Sequence, residues 1–190
     1  MNWCMPEQRK PIVETEQGAP MPLTLVDARW SVTDRAWLTN VYPLYLHDLS
    51  AFDDGYYQLT DHGLWEPDHL PSWLGDPHDW PLLILVDGRR VGFALVNQAP
   101  SPYMTPGMDY KMSEFFILRR LRRSGLGKQA AFAVFDRFPG QWEVNELGRN
   151  TGAIAFWRRI IAEYTSGRYD ETFVKGTVRQ SFHTTGACAR

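Results

Sequence analysis

Arg119-Arg120-Leu121-Arg122-Arg123-Ser124-Gly125-Leu126-Gly127-Lys128 decides the fold, because this basic, glycine-containing turn joins a strand pattern to a helix pattern. Upstream, Tyr110 to Leu118 reads as a strand. Downstream, Leu126, Ala130, Val134 and Phe138 recur at four-residue spacing until Pro139-Gly140 ends the helix. Glycines let the main chain approach a ligand closely, and a helix starting near Gly125 directs its unpaired N–H groups and positive dipole end into the same space. The natural guest is a phosphate. Arg119, Arg120, Arg122, Arg123 and Lys128 would add charge-assisted contacts to a pyrophosphate or a 3'-phosphate. An ordinary loop beside a basic surface is the plainer reading of the glycine pair alone.

Two other phosphate loops fail on context. Gly125-x-Gly127-x-x-Ala130 matches a dinucleotide fingerprint, with Glu146 about where a ribose-binding acid would stand. Yet only 65 residues follow Gly125, too few for a doubly wound sheet, and the preceding strand belongs to an antiparallel set. A Walker loop is excluded because Arg122 stands where its first glycine belongs, and Gln129 follows the lysine.

Outward from the loop, Leu82 to Val86 and Val91 to Asn97 flank Asp87-Gly88, the signal for a tight hairpin. Leu23 to Val26 reads as a strand. Thr33 to about Leu49 reads as a helix capped by Thr33 or Asp34, with Pro43 expected to bend or split it. Trp142 to Asn145 is a further strand, and Ala153, Phe156, Trp157, Ile160, Ile161 and Tyr164 form the apolar stripe of a last helix. Strands around residues 172–174 and 178–183 close the chain. Strand, helices, three antiparallel strands, helix, strand, helix, two strands is an α/β arrangement on a mixed sheet.

A chain of 190 residues with 44% hydrophobic and 22% charged residues and a net charge of -2 supports one globular domain. The domain is expected over residues 21–190, behind a polar, Pro/Gly-punctuated lead-in over residues 1–20 that reads as flexible. No apolar run approaches the ~20 residues of a membrane span, and no basic-then-apolar leader opens the chain, so the expected location is cytoplasmic. Cys4 and Cys188 suggest neither a disulfide framework nor a metal site. His62, His69 and His78 match no zinc spacing, so no metal is expected. The basic cluster is too short for a nucleic-acid groove. The oligomeric state is open between monomer and homodimer.

Arg122-Arg123-Ser124-Gly125-Leu126-Gly127 after a strand, with Glu114 eight residues before the first of these, resembles the acetyl-CoA motif of the GNAT superfamily of N-acetyltransferases. A second motif, at Asn150-Thr151-Gly152-Ala153-Ile154-Ala155-Phe156, strengthens it, although Trp157 replaces the family's tyrosine. The resemblance implies a mostly antiparallel central sheet flanked by helices and splayed at the acetyl-CoA site. Ile117 and Leu118 would offer main-chain groups to the pantetheine arm. The amides from Arg122 to Lys128, through Arg123, Gly125, Leu126 and Gly127, would hold the pyrophosphate. Asn150 would reach the CoA arm, or simply cap its helix; Phe156 and Trp157 would flank the thiol end, or simply fill the core.

Transfer to an amine requires removal of a proton, since an ammonium has no lone pair. Glu114, a carboxylate in an apolar strand, is the expected base, with an exposed or ion-paired carboxylate as the alternative. Trp157 cannot supply a proton to the departing thiolate; Tyr164, two turns on, is the substitute candidate. From Ala36 to Gly88 there are nine acids and no Lys or Arg. An acidic wall with Tyr56, Tyr57, Trp65, Trp73 and Trp80 would suit a small cationic amine, while a solvated acidic surface with tryptophans in the core is the other reading. The competing functions are a non-catalytic acyl-CoA-binding module and an acetyltransferase of protein N-termini or lysines.

Overall fold

Asp87 and Gly88 both adopt positive φ, 49° and 69°, which is the two-residue turn that matches the twist of a hairpin. They join β4 (Asp79–Val86) to β5 (Arg89–Gln98), both almost wholly buried at the middle of a seven-stranded sheet. The structure, a computed structural model, describes residues 22–185; the expected lead-in over residues 1–20 and both cysteines lie outside them. β1 (Leu23–Asp27) pairs with β4, and β6 (Tyr110–Ile117) with β5. β7 (Gly140–Leu147) runs parallel to β6, and the hairpin of β8 (Tyr169–Val174) and β9 (Thr177–Thr184) completes the order β1-β4-β5-β6-β7-β9-β8. All other neighbouring strands are antiparallel.

Helices cover both faces. On one, α1 (Val32–Leu49) and α2 (Leu70–Gly75) bury Leu38, Tyr42, Leu46 and Trp73 against Leu83, Phe93, Leu95 and Phe116. On the other, α3 (Leu126–Arg137) and α4 (Thr151–Thr165) bury Val134, Phe135, Trp157 and Ile160 against Ala94, Met112, Trp142 and Val144. At ~1.5–3 kcal/mol for each large apolar side chain, either layer carries more burial energy than all the surface ion pairs together.

Two local expectations change. Ser31 caps α1, its hydroxyl accepting from the Asp34 amide at 3.3 Å, in place of Thr33 or Asp34. Pro43 does not split the helix. It lies on the exposed side, between the buried anchors Tyr42 and Leu46, where the carbonyl it leaves unbonded can be solvated. The segment before β4 also holds a small hairpin, β2 (Gln58–Leu59) with β3 (Trp65–Glu66), that periodicity does not announce.

Candidate active site

β6 and β7 are paired only from Tyr110↔Trp142 to Met112↔Val144. Beyond that point each strand keeps its outer partner, β5 or β9, and the inner edges separate. A cleft of about 710 Å³ opens there, lined by Ser113, Glu114 and Phe115 from β6 and by Asn145, Glu146 and Leu147 from β7. Because the Leu118 amide donates to the Val91 carbonyl at 3.0 Å, strand alternation turns the main-chain groups of Ile117 and Phe115 toward the opening. Of the two residues expected to greet a pantetheine arm, Ile117 therefore faces it and Leu118 is committed to β5. The Ile117 carbonyl is taken as well, by Arg122 Nε at 2.8 Å, which leaves its N–H.

The register between β5 and β6 shifts at Leu95/Val96, inserting Ser113 as a bulge. Met112 packs into the α3/α4 layer, and simple alternation would send the side chain two residues on to the same face. The extra residue reverses this. Glu114 instead meets α1, where the Tyr45 hydroxyl hydrogen-bonds its carboxylate. Burial drives the Glu114 pKa from 4.5 to about 7, against the opposing pull of Tyr45 and of the Lys111 ammonium. The alternative of an exposed or ion-paired carboxylate is set aside by this environment.

At the start of α3, Gly125 adopts φ 83° and no side chain caps the helix, so its first amides have no partner within the helix or from a cap. Gly127 serves differently. A Cβ there would stand 3.2 Å from the Phe156 ring, so the missing side chain lets α3 lie against α4. The basic residues divide. Arg119 and Arg122 grip Asp48 at 2.5 and 2.6 Å, and Lys128 pairs with Glu163 at 2.5 Å. Arg120 and Arg123 are exposed and carry no ion pair among the described residues. Exposed pairs such as Arg119–Asp48 are worth ~0–1 kcal/mol, so an arriving phosphate can displace them. An uncapped helix start, two exposed arginines and an open strand edge fit the pyrophosphate and arm of a coenzyme A ester.

Asn150 lines the cleft and caps α4 at once, its Oδ1 accepting from the Ala153 amide at 3.0 Å, while among the described residues its side-chain nitrogen has no hydrogen-bond partner. Trp157 also lines the cleft, edge-on to Phe115 and Phe156 with ring centroids 5.2 and 5.0 Å away, so wall and core are one here. Tyr164 is not brought to this place. Its hydroxyl donates to Asp136 at 2.8 Å, its ring packs on Phe132 and Phe135, and burial raises its pKa to about 12.

The acceptor wall is smaller than the sequence suggests. Tyr56 and Tyr57 line the cleft with Asp53 and Asp54, but Trp65, Trp73 and Trp80 do not. Trp73 is buried under α1, Trp65 packs near His47, and Trp80 packs on Phe138 with its indole N–H on Gln98. Several acids are structural too: Asp53 accepts the Gly55 and Tyr57 amides, and Asp79 holds Asn97. Sequence reasoning missed Tyr45 and the position of Glu146; a tyrosine three residues beyond Tyr42 on the buried side of α1 was the available signal for the first. Among the described residues no group of three His, Cys, Asp or Glu side chains is arranged to hold a metal, and no helix is long and apolar enough to cross a membrane.

Comparison with known proteins agrees with this architecture. The family model described as "Acetyltransferase (GNAT) family" matches residues 38–161, and the chain belongs to that family. Its fold is that of an acetyltransferase from Thermus thermophilus (TM-score 0.62, 18% identity, 85% of this chain and 96% of that one). A GNAT-family acetyltransferase from Listeria monocytogenes is similar (TM-score 0.58, 14% identity, 85% and 94% covered). So is a Salmonella typhimurium protein solved with its cofactor acetyl-CoA (TM-score 0.54, 12% identity, 88% and 96% covered). No curated protein matches the sequence.

Proposed function

We propose that this GNAT-family protein is an acetyl-CoA-dependent N-acetyltransferase whose acceptor is the primary amine of a small cationic metabolite. One observation carries the reading: the slot between the parted strands ends at Glu114, a carboxyl poised near neutrality by burial and held by Tyr45. Acetyl-CoA supplies a thioester carbonyl carbon as electrophile. The amides of Gly125 to Lys128, with Arg120 and Arg123, hold the pyrophosphate; the Ile117 N–H and Asn150 hold the arm; Phe115, Phe156 and Trp157 exclude water around it.

Ionised Glu114 takes the proton of the incoming ammonium, and the neutral amine attacks. The cleft carries the carboxyls Asp53, Asp54 and Glu114 against the cations Lys111 and Arg149, and Tyr56 and Tyr57 are in its lining, which favours a cationic acceptor. The test is coenzyme A release, read by a thiol reagent, with a panel of small amines, and calorimetry with coenzyme A. Amine-dependent release that drops ~10²–10⁴-fold in Glu114→Gln is expected. Binding of coenzyme A with no amine-dependent release from wild type would favour a non-catalytic module; no binding at all would remove the reading.

A further inference from the structure

Acyl transfer to an amine leaves a thiolate, and the residues that would ordinarily protonate it are missing from the cleft. Trp157 stands at the α4 position where the resemblance leads one to expect a tyrosine, and an indole N–H does not give up its proton. Tyr164 is engaged with Asp136 in the core. Of the remaining polar groups in the cleft, Tyr45 is bonded to Glu114, Tyr57 packs in the α1 layer on the Glu114 side and away from Trp157, Tyr56 is bonded to His69, and Lys111 to the Tyr103 carbonyl. Asp53 holds two main-chain amides, and Asp54 pairs with Arg149.

Glu146 differs from all of these. It is only 5% exposed, lines the cleft, and among the described residues no other residue hydrogen-bonds either of its carboxyl oxygens. Met112 and Val144 are the last register partners; past them Glu114 stands one ladder step on, because of the bulge, and Glu146 two, so both carboxyls line the opening just beyond the point where the strands part. Val144 packs into the α3/α4 layer, and alternation keeps Glu146 on that face, whereas the bulge at Ser113 turns Glu114 toward α1. The two carboxyls therefore flank the slot from opposite sides of the sheet, Glu146 on the side of Trp157.

We infer that Glu146 is the general acid of the transfer, giving its proton to the sulfur of the departing coenzyme A. The inference rests on the acetyl-transfer reading above. In the step, the nitrogen–carbon bond forms, the carbon–sulfur bond breaks, and its electron pair goes to sulfur. Glu114, having passed the ammonium proton on to solvent, takes the second nitrogen proton as the amide forms, and the Glu146 proton goes to sulfur. Exchange with solvent then restores both groups.

The surroundings keep Glu146 protonated. Burial comes first and Glu171 on β8 second in raising its pKa from 4.5 to about 8, while Arg158 on α4 opposes them. Arg158 is itself occupied by Glu171, at 2.5 and 2.8 Å, and Gln180 of β9 donates to the same carboxylate. The cation that would ionise Glu146 is thus paired elsewhere. A thiol titrates near 8.5, so the transfer from Glu146 to sulfur is close to balanced.

The test uses the full chain and the variants Glu146→Gln, Glu146→Asp and Glu114→Gln. Without ligand, the infrared carbonyl stretch of a protonated carboxyl is expected at pH 7 in Glu114→Gln, which removes the contribution of the partly protonated Glu114, and is lost when Glu146→Gln is combined with it. With acetyl-CoA and an amine, the alkaline limb of kcat/KM near pH 8 should vanish in Glu146→Gln, with kcat down ~10²–10⁴-fold. Glu146→Asp should regain the limb and part of the rate, and coenzyme A affinity should stay within threefold in both. Transfer by Glu146→Gln within twofold of an active wild type overturns the inference and leaves acetyl transfer standing; a wild type that neither binds coenzyme A nor transfers overturns both. Should the Glu146 variants fail to fold, absence of the protonated-carboxyl band from Glu114→Gln at pH 7 overturns it equally.

Discussion

Replacing Glu114 by Gln should move activity and stability in opposite directions. Raising a carboxyl from 4.5 to about 7 disfavours its ionised form in the folded protein by about 3 kcal/mol, at ~1.4 kcal/mol per pH unit. The folded-state pKa lies above the unfolded one, so the penalty is absent below pH 4.5, accumulates between 4.5 and 7, and is complete above 7. Glutamine avoids it, and its carbonyl oxygen still accepts from Tyr45. Glu114→Gln should therefore melt with wild type near pH 4.5 and become more stable by up to ~3 kcal/mol at pH 8. That is about 6–12 °C for a protein of this length. Over the same range kcat/KM of wild type should rise with ionisation of the base, through about pH 7, and the variant should lack that limb. Paired thermal melts and initial rates at pH 5, 6, 7 and 8 measure both. A variant no more stable than wild type at pH 8 would refute the burial argument, and undiminished turnover would refute the base.

Tyr45→Phe removes a donor that favours the ionised carboxylate, so the acidic limb of the rate profile should move to higher pH; edge-on packing against Phe93 and Phe116 should keep the melt close to wild type. Gly125→Ala places a Cβ at φ 83°, which should lower stability by ~1–2 kcal/mol and weaken coenzyme A in calorimetry. Asn150→Ala should lose about 1 kcal/mol of stability with its cap, read by urea denaturation, and also raise the dissociation constant for coenzyme A.

Much of the fold is legible in the sequence because its signals are local. Asp87-Gly88 demands its turn whatever surrounds it, and the Ala153-to-Tyr164 stripe has one helical face to bury. The glycine loop is equally legible, since a φ of 83° and a close helix approach each demand glycine. What sequence conceals is the outcome of long-range competition. Trp65, Trp73 and Trp80 resemble a cation-binding wall until α1 and the sheet claim their surfaces. Arg119 and Arg122 resemble phosphate ligands until Asp48, more than 70 residues earlier, engages both. Glu146 sits about where a ribose-binding acid would stand in another fold, and only the parting of β6 and β7 gives it a different neighbour.

The bulge at Ser113 makes the placement of Glu114 a matter of parity. Excising that one residue would restore plain alternation and still leave the carboxyl opposite Leu95 on the α1 side, because it would then directly follow Met112. Keeping Ser113 while flattening the strand is the harmful change: Glu114 would then share the face of Met112, crowding Glu146, and no acid would greet the amine. The chain can thus lose a residue at this place and keep its acids on two sides, whereas a one-step slip of β6 along β5 would disarm it.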